Sequence, residues 1–148
     1  MVIIGNVGLN AIRDQFPETQ AIGGLTMGAD PIAYAISFAS ATTMNPLRAF
    51  TVRKEAKVHG TGKLVEGPFL AGDSVVIIED VITTGASALR AAQSVEDAGG
   101  TVAGILALVD RQEGGYEALT AAGYRVSSLT RAEQLLQHRA QLGNVNPF

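Results

Sequence analysis

Residues 75–87 of this 148-residue chain read VVIIEDVITTGAS, and the fold class can be predicted from this stretch. Its first four residues are apolar and β-branched, which is typical of a strand buried on both faces of a parallel sheet. Glu79 and Asp80 follow at the end of that strand, where open α/β sheets bind their ligands. The residues TTGAS then lead into a helix predicted over residues 86–98, and the free N–H groups at a helix N-terminus suit a phosphate. Because carboxylates accept hydrogen bonds from ribose hydroxyls, the stretch predicts a site for a phosphorylated sugar.

The rest of the chain repeats this alternation of apolar strands and helical patterns. It predicts a single α/β domain over residues 1–148, with a mainly parallel, Rossmann-like sheet flanked by helices. Further strands are predicted at residues 21–25, 47–52, 102–109 and 124–129. Further helices are predicted from Asp30 as N-cap, over residues 116–122, and after a capping box of Thr130 and Glu133. Residues 54–68 are the one long stretch without periodicity, and so long a loop in a compact domain is usually functional.

Composition excludes several classes of protein. Apolar residues make up 47% of the chain and charged residues 17%, which excludes disorder as the main state. The absence of cysteine excludes disulfides, thiolate catalysis and cysteine-bound zinc. Because no apolar run reaches about 18 residues and the N-terminus lacks a signal-peptide pattern, we expect a cytoplasmic protein with no membrane partner. The net charge of −3 disfavours nucleic acid as a partner.

Positive charge is concentrated in one segment of this acidic chain. All three lysines, Lys54, Lys57 and Lys63, fall within ten residues, and Arg53 and His59 lie in or beside that window. Composition alone leaves two interpretations open, namely a local anion site and a solvated charged loop.

Four segments together resemble one enzyme family. Residues 75–87 resemble the phosphoribosyl diphosphate (PRPP) binding motif of type I phosphoribosyltransferases. Residues 53–60, RKEAKVHG, resemble the RKxxKxHG stretch of the orotate phosphoribosyltransferases, and residues 110–115, DRQEGG, are similar to their DRxxGG region. Residues 24–31 resemble their pyrophosphate loop. The resemblance extends over residues 22–136, and several ordered motifs in one chain are far more specific than any one alone.

The resemblance implies the type I phosphoribosyltransferase fold and a reaction of pyrimidine (UMP) biosynthesis. A phosphoribosyl group passes from PRPP to orotate, which gives orotidine 5′-monophosphate and pyrophosphate. The resemblance also implies Mg²⁺ as the cofactor, held mainly by PRPP and water. The implied PRPP-binding residues are Arg53, Lys54, Lys57, His59, Glu79, Asp80, Val81, Ile82, Thr83, Thr84, Gly85, Ala86 and Ser87. The implied catalytic residues are Lys57, Glu79 and Asp80, and the implied orotate contacts are Thr83 and Arg111.

The family pattern also carries expectations about assembly and base recognition. In the family the loop matching residues 54–68 closes as a lid over the neighbouring subunit's site, which implies a homodimer with Lys57 and His59 acting across it. Only about twenty residues precede the pyrophosphate loop in this chain. We therefore expect the N-terminal hood over the base to be reduced or absent, and base recognition to be weak or relaxed. Residues 26–29, TMGA, lack the lysine that many relatives carry there.

Three alternatives stay open at this point. The first is a phosphoribosyltransferase for another base, such as a purine, and the second is a non-catalytic PRPP-binding regulatory protein on the same fold. The third is a damaged gene product that folds but does little. The RKEAKVHG and DRQEGG segments favour orotate as the base. The presence of Glu79, Asp80, Lys57 and His59 favours catalysis.

Overall fold

The computed structural model describes residues 1–55 and 63–143, which form six strands and five helices. The strands are β1 (Ala21–Leu25), β2 (Arg48–Val52), β3 (Val65–Glu66), β4 (Ser74–Ile82), β5 (Thr101–Asp110) and β6 (Val126–Arg131). The helices are α1 (Val2–Gln15), α2 (Asp30–Ser40), α3 (Ala86–Asp97), α4 (Gly115–Ala121) and α5 (Ala132–Gly143). The strands make one sheet in the order β3-β2-β1-β4-β5-β6, and each pair is parallel except β2 with β3. The predicted parallel α/β sheet is confirmed.

Strand β4 lies inside the sheet and is buried on both faces. Val75 and Ile77 belong to a core cluster that includes buried residues of α3, whereas Val76 and Ile78 belong to a cluster with residues of α1 and α2. This alternation follows from the two-residue period of a strand. Each fully buried side chain of this size stabilises the fold by about 1.5–3 kcal/mol. The two cores hold the carboxyl end of β4 in a fixed position.

Strand β4 continues past the four apolar residues that predict it. It includes both carboxylates and ends at Ile82, because β5 pairs with it as far as Asp110. Glu79 and Asp80 therefore point to opposite faces of the sheet.

The last strand and the last helix differ from the prediction. Strand β6 includes Thr130, so the predicted capping box of Thr130 and Glu133 is wrong. Instead, the residue after Glu133 makes the capping contact: Gln134 Oε1 accepts from the backbone N–H of Arg131 at 2.9 Å. A glutamine three residues into α5 thus serves the same helix start.

Helix α2 and the predicted lid loop also differ from expectation. The predicted N-cap Asp30 is wrong: Ala29 is the N-cap of α2, and Asp30 is the first helical residue. The Asp30 carboxylate does not cap the helix and instead accepts from the hydroxyls of Thr26 and Thr51. The stretch 54–68 is not loop throughout, since its later part forms β3 against β2. Lys57 and His59 lie outside the described residues.

Residues ahead of β1 form α1, an element that the sequence pattern does not predict. A Cβ built on Gly5 would lie 2.5 Å from the backbone oxygen of Ala35, so α1 and α2 approach each other closely at a glycine. Leu9 and Ile12 of α1 are buried in the core. No helix in the described ranges is long and apolar enough to cross a membrane.

An ion pair joins two strands at the amino end of the sheet. Asp73, which precedes β4, is 4% exposed and accepts from Arg48 of β2 at 2.5 Å. Its second oxygen accepts from the backbone N–H of Leu70 at 2.8 Å. Because the Asp73 carboxylate is buried and both of its oxygens are hydrogen-bonded, the pair holds the starts of β2 and β4 relative to each other.

Candidate active site

The turn between β4 and α3, residues 83–87, is here called the phosphate turn. Its Gly85 is the N-cap of α3 and has a φ of +80°, a conformation that favours glycine. No side chain caps α3 within the described structure, apart from a long contact of 3.5 Å from the Ala86 N–H to Thr84 Oγ1. The first N–H groups of this 12-residue helix are therefore available to an anion, as the sequence predicts.

The two predicted carboxylates occupy different environments beside the phosphate turn. Glu79 is 7% exposed, whereas Asp80 is exposed and accepts from the backbone N–H of Val81 at 2.7 Å. Burial, together with the hydrogen bond and the negative charge of Asp80, raises the pKa of Glu79 to about 7. Glu79 therefore keeps its proton to a higher pH than an ordinary glutamate does.

A small pocket brings most of the predicted PRPP residues together. It is lined by Glu79, Val81, Ile82, Thr83, Thr84, Gly85, Ala86 and Ser87. The structure thus joins the buried carboxyl of β4 to the start of α3, which are the two halves of the motif. Asp80 lies outside this lining and faces the loop after β1.

The loop after β1 approaches Asp80 directly. A Cβ built on Gly28 would lie 2.7 Å from Asp80 Oδ2, so any larger residue at position 28 would require the Asp80 carboxylate to shift. The peptide bond between Thr26 and Met27 is cis. The approach of Gly28 to Asp80 places the segment that resembles a pyrophosphate loop beside the predicted ribose-binding carboxylate.

A hydroxyl network around Asp30 supports the same loop, and sequence reasoning missed it. Thr26 Oγ1 donates to Asp30 Oδ2 at 2.8 Å, and Thr51 Oγ1 donates to Asp30 Oδ1 at 3.0 Å. The Tyr34 hydroxyl lies 3.3 Å from Thr51 Oγ1. The only sequence signal at this place is the helix start at Asp30, which gives no reason to pair it with a residue of β2.

The basic residues after β2 border an open cavity of about 720 Å³ next to this loop. The cavity is lined by Thr26, Met27, Thr51, Arg53, Lys54, Glu55 and Glu66. The backbone N–H of Arg53 donates to Leu64 O at 2.9 Å, and the Arg53 guanidinium lies 3.3 Å from Glu66 Oε1. The structure therefore brings Arg53 and Lys54 to the pyrophosphate-type loop.

Residues 110–115 follow β5 on the other side of the phosphate turn. The Arg111 backbone N–H donates to Ile82 O at 3.0 Å, and buried Asp110 Oδ1 accepts from the Gln112 N–H at 2.8 Å. The Arg111 guanidinium is exposed and forms an ion pair with Glu113 at 2.5 Å. The predicted orotate contact is thus close to the site through its backbone, while its side chain has an acidic partner.

The described residues contain no cluster of three or more histidine, cysteine, aspartate or glutamate side chains that could hold a metal ion. The exposed carboxylate of Asp80 offers hard oxygen donors, which Mg²⁺ prefers. This donor set fits a Mg²⁺ ion whose coordination is completed by substrate oxygens and water.

Comparison with known proteins gives consistent relatives. No protein-family model matches the chain. The chain is 44% identical over 134 residues to the orotate phosphoribosyltransferase of Aquifex aeolicus, with 90% of this chain and 72% of that protein covered. It is 46% identical over 134 residues to the orotate phosphoribosyltransferase of Tropheryma whipplei, of which it spans 62%. The chain is therefore shorter than the relatives it matches.

A solved structure supports the same relationship. The orotate phosphoribosyltransferase of Mycobacterium tuberculosis H37Rv in complex with PRPP superposes with a TM-score of 0.78 at 39% identity. The match covers 90% of this chain and 74% of that one. That protein binds PRPP on the fold described above.

Proposed function

This chain belongs to the orotate phosphoribosyltransferase family, and we propose that it transfers the phosphoribosyl group of PRPP to orotate, with release of pyrophosphate. The observation that carries the proposal is the order of charges along the carboxyl edge of the sheet. A carboxylate pair lies between a helix N-terminus on one side and the cavity bordered by Arg53 and Lys54 on the other. PRPP has the complementary pattern, with a ribose between a phosphate and a diphosphate.

The phosphate turn is proposed to hold the 5-phosphate of PRPP. The free N–H groups at the start of α3 donate to the phosphate oxygens, and the helix dipole favours the negative charge. Thr83, Thr84 and Ser87 add hydroxyl donors, while Val81, Ile82 and Ala86 contribute backbone groups and shape. Gly85 lets the backbone adopt the required turn.

Glu79 and Asp80 are proposed to hold the ribose hydroxyls and to stabilise the transition state. When the bond at the anomeric carbon breaks ahead of bond formation, positive charge develops on the ribose. A fixed negative charge in a partly buried site stabilises that charge more than water does. Because Asp80 is held by the Val81 N–H and by contact with Gly28, its carboxylate is already oriented before substrate enters.

The other end of the substrate is proposed to lie in the cavity next to Arg53. Arg53 and Lys54 bind the pyrophosphate, and Lys57 and His59 complete this role from the segment resembling the family's lid. Lys57 protonates or neutralises the leaving pyrophosphate, and closure excludes water that would hydrolyse PRPP. Sharing of the lid between two copies of the chain is part of the proposal.

Mg²⁺ is proposed as the cofactor. The hard oxygen donors of the exposed Asp80 carboxylate fit it, and PRPP and water would supply most of its ligands. When bound, Mg²⁺ neutralises charge on the pyrophosphate group.

On the base side, the Arg111 guanidinium pairs with the orotate carboxylate in exchange for Glu113, and Thr83 contacts the base.

A single assay tests the proposal. The chain is mixed with PRPP and Mg²⁺, and loss of the free base is followed by absorbance for orotate, uracil, adenine and hypoxanthine in parallel. We expect orotate to be consumed faster than the other three bases, with one pyrophosphate released per orotate. Consumption of a purine would assign the chain to another base. Binding of PRPP without turnover of any base would identify a regulatory protein.

A further inference from the structure

The phosphate turn lies directly on the first residue of α4. A Cβ built on Gly115 would lie 2.4 Å from Thr83 O, 2.7 Å from the Gly85 nitrogen and 2.6 Å from Ile82 Cγ2. From the other side, a Cβ built on Gly85 would lie 3.0 Å from both Gly115 O and Leu119 Cγ. The two glycines therefore pack backbone against backbone.

Two of the three atoms that exclude a side chain at Gly115 are main-chain atoms of the phosphate turn. A flexible side chain could rotate away from an added methyl group, whereas a backbone oxygen and nitrogen move only with the whole turn. Close-packed interiors transmit such strain because they contain little empty space. The position of α4 and the position of the Gly85 N–H are thus coupled.

The segment before α4 is tied to the same strand. The Arg111 N–H donates to Ile82 O, at the end of β4. Residues 110–115 therefore contact the region of the phosphate turn at both of their ends, through a hydrogen bond at Arg111 and through van der Waals contact at Gly115. Leu119, which is 1% exposed, holds α4 in this place from the core.

We propose that Gly115 is a positioning residue for PRPP: it sets the height of the phosphate turn and so the affinity for the 5-phosphate. This inference rests on the proposed function, because it assumes that the turn binds that phosphate. Gly115 itself does not contact the substrate. It acts through the Gly85 N–H and Thr83, which do.

The test compares Gly115→Ala with Gly104→Ala. A Cβ built on Gly104 would lie 2.2 Å from the ring of Phe16, so the control also introduces a severe contact, but in the core between β5 and α1. We expect Gly115→Ala to raise the KM for PRPP about tenfold or more, because small displacements of binding groups are costly. The KM for orotate should change much less. Gly104→Ala should lower the melting temperature and leave both KM values near those of the parent chain.

Binding without turnover is measured as a second readout. Ribose 5-phosphate is titrated into ¹⁵N-labelled chain, and the amide signals of Gly85 and Thr84 are followed. We expect these signals to shift in the parent and in Gly104→Ala, and to require about tenfold more ligand in Gly115→Ala. If Gly115→Ala does not fold, Leu119→Val replaces it, since loosening the support of α4 should raise the KM for PRPP about threefold.

The outcomes separate the two proposals. If the parent chain binds neither PRPP nor ribose 5-phosphate, the proposed function is contradicted and the inference fails with it. If the parent turns over orotate and Gly115→Ala, or Leu119→Val in its place, keeps the parent KM for PRPP, only the inference is overturned. An equal rise in KM in Gly104→Ala would also overturn it, because general destabilisation would then explain the effect.

Discussion

The phosphate turn and the segment around Arg53 are proposed to bind opposite ends of the same substrate, yet they are built in opposite ways. The turn continues a strand buried on both faces and is fixed by backbone contacts with Gly115. The other region, residues 53–55 and 63–66, is here called the loop base. It is held by the two-residue strand β3 and by an ion pair whose side chains are 37% and 39% exposed.

The two regions differ in the chemical groups that they offer to the substrate in the proposed complex. At the phosphate turn the proposed donors include main-chain N–H groups, which remain when a side chain of the turn is substituted. At the loop base the groups are charged side chains, which can be deleted and are screened by salt. We therefore expect PRPP binding to tolerate substitution of a side chain within the phosphate turn, and kcat to be sensitive to substitution of a charged side chain at the loop base.

The largest effect is expected for Lys57→Ala. A small effect would contradict the contrast drawn between the phosphate turn and the loop base. Loss of this charge should lower kcat about 100-fold or more, because proton transfer or charge stabilisation at the leaving group is lost. The Kd for PRPP should rise far less. Steady-state kinetics and calorimetry measure the two quantities.

Lys63→Ala is the matched control for that experiment. Lys63 is an exposed lysine of the same segment with no role in the proposed site, so its removal should leave kcat unchanged. An unchanged kcat in Lys57→Ala would contradict the role given to the loop.

A second prediction concerns the buried carboxyl beside the turn. Because the pKa of Glu79 is raised to about 7, the folded state keeps a proton that the unfolded state releases near its ordinary value of 4.5. The free energy of unfolding should therefore fall as pH rises from about 4.5 to 7 and stay low above that range, a loss of up to about 3 kcal/mol.

Glu79→Gln should remove this part of the pH dependence and stabilise the chain above pH 7. Thermal unfolding between pH 5 and 8 measures it, with Asp14→Asn as a control for the loss of one surface negative charge. A pH slope in Glu79→Gln equal to that of the parent would show that burial of this carboxyl does not limit stability.

A third prediction concerns the loop after β1, which lies between the phosphate turn and the loop base. Thr51→Val removes the hydroxyl that donates to Asp30, and the carboxylate loses one of its two hydroxyl partners. We expect the KM for PRPP to rise about fivefold, which corresponds to about one net hydrogen bond. Thr51→Ser keeps the hydroxyl and should behave like the parent. Equal behaviour of the valine and serine variants would exclude a role for the network.

The smallest effect is expected at Arg111. Glu113→Gln releases the guanidinium from an exposed ion pair, which is worth about 1 kcal/mol at most. The KM for orotate should fall about twofold to threefold, while the KM for PRPP stays constant. Glu117→Gln, at an exposed acid of α4, should change neither. A higher KM for orotate in Glu113→Gln would mean that the pair holds Arg111 in its productive position.

Sequence reasoning was most successful where one segment carries the whole signal. The β4 strand, the carboxylates and the start of α3 are adjacent in the chain, so their order alone predicts the pocket that they line. Arg53 and Lys54 were found by charge and by family pattern. Their meeting with Thr26 could not be read from spacing, because it depends on the pairing of β1 with β2.

The features that were missed are long-range or offset by one residue. The hydroxyl network joins Asp30 to Thr51, which are 21 residues apart, and no local pattern links them. The contact of Gly115 with the phosphate turn depends on where β5 ends in the sheet, because α4 follows that strand. The capping box was wrong because β6 runs two residues further than its apolar run, so pairing with β5 outweighed the local helix signal.

The ion pair of Arg48 and Asp73 joins two strands at the amino edge of the sheet. It fastens β2 to the start of β4 across β1, at the edge opposite the phosphate turn. Because the starts of β2 and β4 are held together at the amino edge, the relative positions of Arg53 and Glu79 at the carboxyl edge are set by the folded sheet and not by the substrate.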